Sequence, residues 1–154
     1  MKIAIVAIGR LPRSPETELV KLYLERATNA GRSLGLGPVE VVEVESRKPG
    51  KGAEAEALGA HLADSHVIAC DERGRARPSR AFADEIATLR DRGVRRLVFL
   101  IGGADGLDPD LVAEADSKLA FGPQTWPHAL ARAMLAEQVY RAVSILAGSP
   151  YHRD

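Results

Sequence analysis

Four short apolar runs rich in branched side chains, each followed by a segment of helical period, limit this chain to very few architectures. The runs are Lys2–Ile8 (KIAIVAI), Val39–Val44 (VEVVEV), His66–Cys70 (HVIAC) and Arg96–Ile101 (RLVFLI). The first and last are almost continuously apolar, as in strands covered on both faces, and parallel sheets with helices on each side bury strands that way. Between them, Pro15-Glu16 opens a helix with Leu19, Leu22, Tyr23 and Ala27 on one face, closed by Asn29-Ala30-Gly31. Further helices are predicted over Ala53–Ala63, from a Ser79 cap to Gly93, from Pro109 to near Glu114, and from Pro127 to about Ala147. A brief fifth strand is expected at Lys118–Phe121, and Asp71–Ser79 reads as a charged loop. Strands alternating with helices predict one α/β domain over residues 1–154, a mostly parallel sheet with helices on both faces.

Glycine placement narrows the chemistry. A Rossmann turn needs G-x-G-x-x-G after the first strand, where backbone can approach a phosphate at a helix N-terminus. Only Gly9 stands there, followed by Arg10-Leu11-Pro12, so a dinucleotide enzyme and a Rossmann methyltransferase are both disfavoured. No P-loop, no G-x-S-x-G and no histidine pair at metal-ligand spacing occurs, and no metal is expected. The glycines cluster after the fourth strand instead, as Gly102-Gly103-Ala104-Asp105-Gly106. Ligands of parallel sheets lie beyond the carboxyl ends of the strands, and paired glycines let one rest on bare main chain. The alternative is a tight loop that uses glycine only for its backbone freedom.

Other candidate walls are Phe121-Gly122-Pro123-Gln124-Thr125-Trp126 and Cys70, which closes the third strand. A lone tryptophan is more often a core plug, and a buried cysteine a small apolar filler. On the last helix His128 and Arg132, and likewise Glu137 and Arg141, stand at i,i+4. The bland reading of Glu137–Arg141 is a solvated ion pair, and of His128 an ordinary first-turn residue. After Gly148-Ser149-Pro150 come Tyr151, His152, Arg153 and Asp154: a phenol, an imidazole, a guanidinium and a carboxylate. These would finish an active site or form a solvated tail, and taken alone they leave both open.

Charge sets bounds on partners. Lys and Arg number 21, as do Asp and Glu, so no basic field spans the molecule, and RNA would be met by local patches. One cysteine excludes an internal disulfide. The apolar start is too short for a signal-peptide core and no stretch is long enough to span a bilayer, so the chain is expected in the cytoplasm.

With these pieces placed, the chain closely resembles the RlmH-type family of ribosomal RNA large-subunit pseudouridine N3-methyltransferases, in the SPOUT superfamily. The resemblance is carried by Leu100–Leu107, by Pro127-His128 with Arg132, by Glu137 with Tyr140-Arg141-Ala142, and by Tyr151-His152-Arg153. The Lys2–Gly9 start and the Lys48–Lys51 loop extend it over essentially the whole length.

That resemblance implies an α/β knot with a C-terminal trefoil, and S-adenosylmethionine held by Cys70, Gly102, Gly103 and Phe121–Trp126. Cys70 departs from the aliphatic residue usual at its position. The resemblance also implies a homodimer whose site both subunits complete, acting on ribosomal RNA in the assembled ribosome. Tyr151, His152 and Arg153 are the expected catalytic groups, His152 as the proton acceptor and Arg153 on developing negative charge. Threading of the knot is expected to bring this tail beside Gly102 and Phe121–Trp126. Arg10, Arg47, Lys48 and Arg132 are the expected phosphate contacts. Two other functions stay open at this point: a SPOUT enzyme with another substrate such as transfer RNA, and a non-catalytic nucleotide-binding module associated with the ribosome.

Overall fold

The computed structural model describes residues 1–153, so the Asp154 carboxylate lies outside the described residues. Five parallel strands form one sheet: β1 (Lys2–Ile8), β2 (Val39–Val44), β3 (His66–Arg75), β4 (Arg96–Ile101) and β5 (Ser117–Leu119). Their order is β2-β1-β4-β3-β5. The helices are α1 (Pro15–Gly31), α2 (Lys51–Gly59), α3 (Ser79–Asp91), α4 (Pro109–Glu114) and α5 (His128–Leu146), with a short 3-10 turn at Arg32–Leu34.

Alternation along each strand divides the interior into two cores. Ile3, Ile5 and Ala7 of β1 and Leu97, Phe99 and Ile101 of β4 face α1, α3 and α5, where they meet Val20, Leu24, Phe82, Ile86, Leu135 and Val139. Ala4, Val6 and Ile8 of β1 and Val98 and Leu100 of β4 face the other way, onto Leu58 of α2 and Leu111 and Val112 of α4. Because β1 and β4 are covered on both sides, Ile3–Ile8 and Leu97–Ile101 are all buried, and their residues are apolar almost without break. Truncating a side chain such as Phe99 in this setting costs about 3–5 kcal/mol.

Helix starts follow local chemistry. Ser14 caps α1, its Oγ accepting from the Thr17 backbone N–H at 3.3 Å, with Pro15 in the first turn. Asp108 caps α4 in the same manner, accepting from Asp110 N–H at 2.9 Å. Ser79 does not cap α3 as expected. Pro78 holds that position, and Ser79 Oγ instead donates to Gln138 Oε1 at 3.0 Å, tying α3 to α5.

The strand β3 also departs from expectation, for it runs on to Arg75 rather than ending at Cys70. Leu119 of β5 pairs with both Cys70 and Arg75, so the intervening Asp71–Gly74 bulges out of the ladder. Gly74 permits this because a Cβ there would lie 2.7 Å from the Leu119 carbonyl carbon. The bulge aims acidic and basic side chains off the carboxyl edge of the sheet. Among the described residues no helix is long and apolar enough to cross a membrane.

Candidate active site

Beyond the carboxyl ends of β3, β4 and β5 lies a cleft of about 730 Å³. Its walls are the β3 bulge, the glycine loop after β4, the segment between β5 and α5, and the first turn of α5. The volume lies in the range of small-molecule sites. Ile101, Leu107, Val112, Leu119 and Phe121 supply apolar surface, Asp71, Glu72, Asp105, Lys51 and Lys118 bring both signs of charge, and His128 adds an imidazole. Such a lining suits a ligand that joins a flat apolar ring to a zwitterionic chain.

The glycine loop is held by its own backbone. Gly106 N–H donates to Gly103 O at 3.1 Å, and Gly106 adopts φ +78°, closing a tight turn. At Gly102 a Cβ would lie 2.5 Å from the Gly106 carbonyl carbon and 2.6 Å from Leu107 N. Bare main chain is therefore required at Gly102 for the loop to fold onto itself, and it also leaves peptide groups facing the cleft. Gly103 is under weaker constraint: a Cβ would meet the Glu54 carboxylate and Ile8 Cγ2 at 3.3 Å.

Opposite this loop, Gly122, Gln124, Thr125 and Trp126 line the cleft, together with Phe121; Pro123 does not. Trp126 is not a core plug. It is 40% exposed, and its indole N–H donates to Phe121 O at 3.2 Å, which folds the segment back on itself. Thr125 Oγ1 donates to Glu72 Oε2 at 3.3 Å, linking this wall to the β3 bulge. Cys70 sits at the floor, and burial pushes its thiol up to about 12, partly opposed by the Arg77 charge. At neutral pH it is a neutral, weakly polar wall atom, which suits apolar contact and not nucleophilic chemistry.

The tail is placed elsewhere. Tyr151, His152 and Arg153 do not line the cleft of their own chain. Tyr151 Oη donates to Glu137 Oε1 at 2.9 Å, and Arg141 donates to the same oxygen through Nε (3.0 Å) and Nη2 (2.6 Å). Gln138 Nε2 donates to Glu137 Oε2 at 2.7 Å. The Arg141 guanidinium lies 4.8 Å from the Tyr151 ring centroid, and Tyr151 packs on Tyr140 at 4.6 Å between centroids. Burial, then hydrogen bonding to Tyr23 and Glu137, raises the Tyr151 hydroxyl well above its ordinary value, so it remains a donor. The Glu137 hydrogen bond likewise raises Arg141.

Glu137 is nine residues beyond His128, or roughly 13.5 Å along the helix axis. Tyr151–Arg153 therefore do not form a wall of their own chain's cleft beside Gly102 and Phe121–Trp126, because Glu137 and Arg141 fasten the tail further down α5. Nor is Glu137–Arg141 the solvated pair that its spacing alone suggests. The two side chains are 18% and 25% exposed, and between them they hold Tyr151 and His152. Glu137 also borders a smaller cavity of about 340 Å³, over Phe82, Met134 and Phe121.

Of the expected phosphate contacts, Arg10 is 78% exposed beside Glu43, and Arg47 and Lys48 are exposed in the loop before α2. Arg132 is not available to RNA. It is 1% exposed, with Nη1 donating to Glu43 Oε1 at 3.0 Å and Nη2 donating to Ile8 O and Gly9 O at 3.1 Å each. Burial lowers its pKa while Glu43 raises it, and the geometry is that of a guanidinium fixing the carboxyl end of β1 to α5. Helical spacing placed Arg132 on the His128 face but could not register that β1 ends against that turn. Sequence reading does not assign Lys51, Asp71–Arg73, Lys118 and His128 to the walls of the cleft. For Asp71–Arg73, position just beyond a strand's carboxyl end is the available signal.

Comparison with known proteins agrees with this geometry. A family model described as "Predicted SPOUT methyltransferase" matches residues 1–152. A protein of Phenylobacterium zucineum (strain HLK1) named ribosomal RNA large subunit methyltransferase H is 88% identical over 154 residues, covering 100% of both chains. The protein of that name from Caulobacter sp. (strain K31) is 68% identical over 154 residues, again covering 100% of both. A crystal structure of a probable methyltransferase from Bordetella pertussis Tohama I shares the fold, with a TM-score of 0.54 at 18% identity, over 92% of this chain and 96% of that one. The chain belongs to the SPOUT methyltransferase family and, within it, groups with the proteins named ribosomal RNA large subunit methyltransferase H.

Proposed function

We propose that this protein methylates N3 of a pseudouridine in large-subunit ribosomal RNA, with S-adenosylmethionine bound in the cleft beyond β3, β4 and β5. The observation that carries the reading is the glycine loop at Gly102–Gly106 facing Phe121–Trp126 across that cleft, in a chain 88% identical to a protein named ribosomal RNA large subunit methyltransferase H. The lining fits the cofactor. Leu107, Val112, Leu119 and Cys70 would offer apolar contact to adenine, peptide groups of Gly102 and Gly103 could hydrogen-bond its polar edge, and Asp71, Glu72, Lys51 and Lys118 would suit its charged amino-acid chain. When bound, the cofactor supplies an electrophilic methyl group.

This chain's residues do the positioning and the electrostatics. Holding the base in line with the donor at near-attack distance supplies much of the acceleration. An imide nitrogen must also lose its proton, and groups that stabilise the resulting anion contribute further. Tyr151, His152 and Arg153 are the proposed catalytic residues. Since the tail is fastened to Glu137, away from its own cleft, the reading includes a homodimer in which each tail serves the partner's cleft. Leu19, Leu22 and Leu130 are exposed apolar side chains on α1 and α5, a surface such a dimer would cover. Arg10, Arg47 and Lys48 are the proposed phosphate contacts. The zero net charge suits the shaped surface of an assembled ribosome in the cytoplasm better than free RNA gripped by counterion release. A trefoil crossing of α5 belongs to the same reading, as does a single domain spanning residues 1–154.

The test is methyl transfer from labelled S-adenosylmethionine to ribosomes that lack the modification, followed by mapping of the labelled nucleotide. Label at N3 of a large-subunit pseudouridine is the expected result. Label in transfer RNA alone would replace the substrate, and cofactor binding without transfer to any RNA would replace the enzyme with a binding module.

A further inference from the structure

One side chain that meets His152 constrains what that imidazole can do. Arg141 Nη1 lies 3.2 Å from His152 Nδ1. A guanidinium has donors and no acceptor, so the bond exists only if Nδ1 offers its lone pair. An imidazole carrying a proton on Nδ1 would set two N–H groups against each other. The proton of the neutral ring therefore sits on Nε2.

Arg141 is in turn fixed. Two of its nitrogens donate to Glu137 Oε1, Tyr151 lies against its flat face and also donates to Glu137, and Gln138 holds the second carboxylate oxygen. The guanidinium cannot swing away from His152 without breaking that cluster.

We propose that Arg141 is a positioning residue that holds His152 in the Nε2–H form, so that the imidazole donates a hydrogen bond to the substrate and does not take its proton. The inference rests on the methyltransferase reading above and reassigns one role within it. The group receiving the bond is a carbonyl oxygen flanking the imide nitrogen, where negative charge gathers as the N–H is lost. The imide proton leaves to solvent water. His152 then acts as an oxyanion donor beside Arg153, a role that accelerates reactions about 10²–10³-fold. Glu137 contributes through Arg141 and Tyr151 without touching substrate.

The direct test is nitrogen NMR of the full-length protein labelled with ¹⁵N-histidine. Its four histidines are told apart by the loss of one set of signals in His152→Gln. Long-range proton–nitrogen couplings are expected to report the Nε2–H tautomer for His152 in the wild type and a mixture in Arg141→Met. A dominant Nδ1–H tautomer in the wild type, or one indifferent to Arg141→Met, overturns the proposal.

Activity supplies the second arm. Gln can place an amide N–H near the position of Nε2–H but is no base, so His152→Gln is expected to stay within about tenfold of wild type while His152→Ala loses about 10²–10³-fold. Equal losses in the two variants would return His152 to the role of proton acceptor. Absence of methyl transfer by the wild type on any RNA would instead sink the functional reading, while the NMR result judges the tautomer on its own.

Discussion

The cleft and the tail are made of different material. Around Gly102–Gly106 the geometry is set by backbone folded on backbone, Gly102 packing against the main chain of Gly106 and Leu107. Around Glu137 it is set by side chains alone, with one carboxylate holding an arginine, a tyrosine and a glutamine. A site built of main chain tolerates varied side chains and fails when a Cβ intrudes. A site built of side chains tolerates a shift of backbone and fails when its central charge is removed. Cys70 illustrates the first case, since burial keeps its thiol neutral and it serves the cleft as a small apolar wall.

The sharpest way to break the contrast is to truncate the chain after Pro150. Methyl transfer is expected to fall by about 10³-fold or more, because the groups facing developing charge are removed together. Cofactor affinity by calorimetry should stay within about threefold and the melting temperature within a few degrees, the tail being a surface element. A large loss of cofactor affinity would mean that the tail, from one protomer or the other, helps to hold the cofactor.

Gly102→Ala tests the backbone side of the comparison. A methyl group 2.5 Å from the Gly106 carbonyl carbon forces the loop open. Cofactor affinity is expected to drop by about 10²-fold, on the scale at which misplaced positioning groups cost activity. Wild-type affinity would show that the loop is not a cofactor wall. Gly103→Ala, with its contacts at 3.3 Å, should cost much less in the same titration.

Arg132 lies on α5 between the two regions and belongs to neither. Arg132→Met removes a buried guanidinium that holds the Ile8 and Gly9 carbonyls and Glu43. Loss of stability by denaturant titration is expected at about 1–3 kcal/mol, below the cost of breaking a fully buried pair because Glu43 is itself 28% exposed. Loss of RNA affinity with unchanged stability would restore Arg132 as a phosphate contact.

The smallest effect concerns Cys70. Its thiol ionises near 9.0 when unfolded and near about 12 in the folded chain, so only the unfolded form releases the proton between those values. Stability from this group is complete below about pH 9 and is lost as pH rises toward 12. Cys70→Ala should flatten that part of the stability profile, and iodoacetamide should label the folded wild type slowly at pH 8. Rapid labelling would show a thiolate where the cleft wall is assigned a neutral atom.

Much of this was legible in residue order. The bounds of β1, β2 and β4 follow from apolar runs flanked by glycine and proline, and Ser14-Pro15 marks the start of α1 through its own cap. The cleft was legible too, because glycines placed after a strand identify the carboxyl edge of a parallel sheet. What stayed hidden involved distant partners. The β3 bulge depends on Gly74 meeting Leu119, and Ser79 is drawn from capping by Gln138, 59 residues away. Arg132 is buried because its turn of α5 crosses the end of β1.

Sequence by itself determined the alternation of elements, the two-sided apolar strands and the chemistry available in the last residues, since propensity and periodicity act over short stretches of chain. Only tertiary structure decided which arginine is buried, that Arg141 meets His152, and on which stretch of α5 the tail comes to rest. Those outcomes depend on hydrogen-bond partners brought together by packing, and no local pattern encodes a partner that lies elsewhere in the chain.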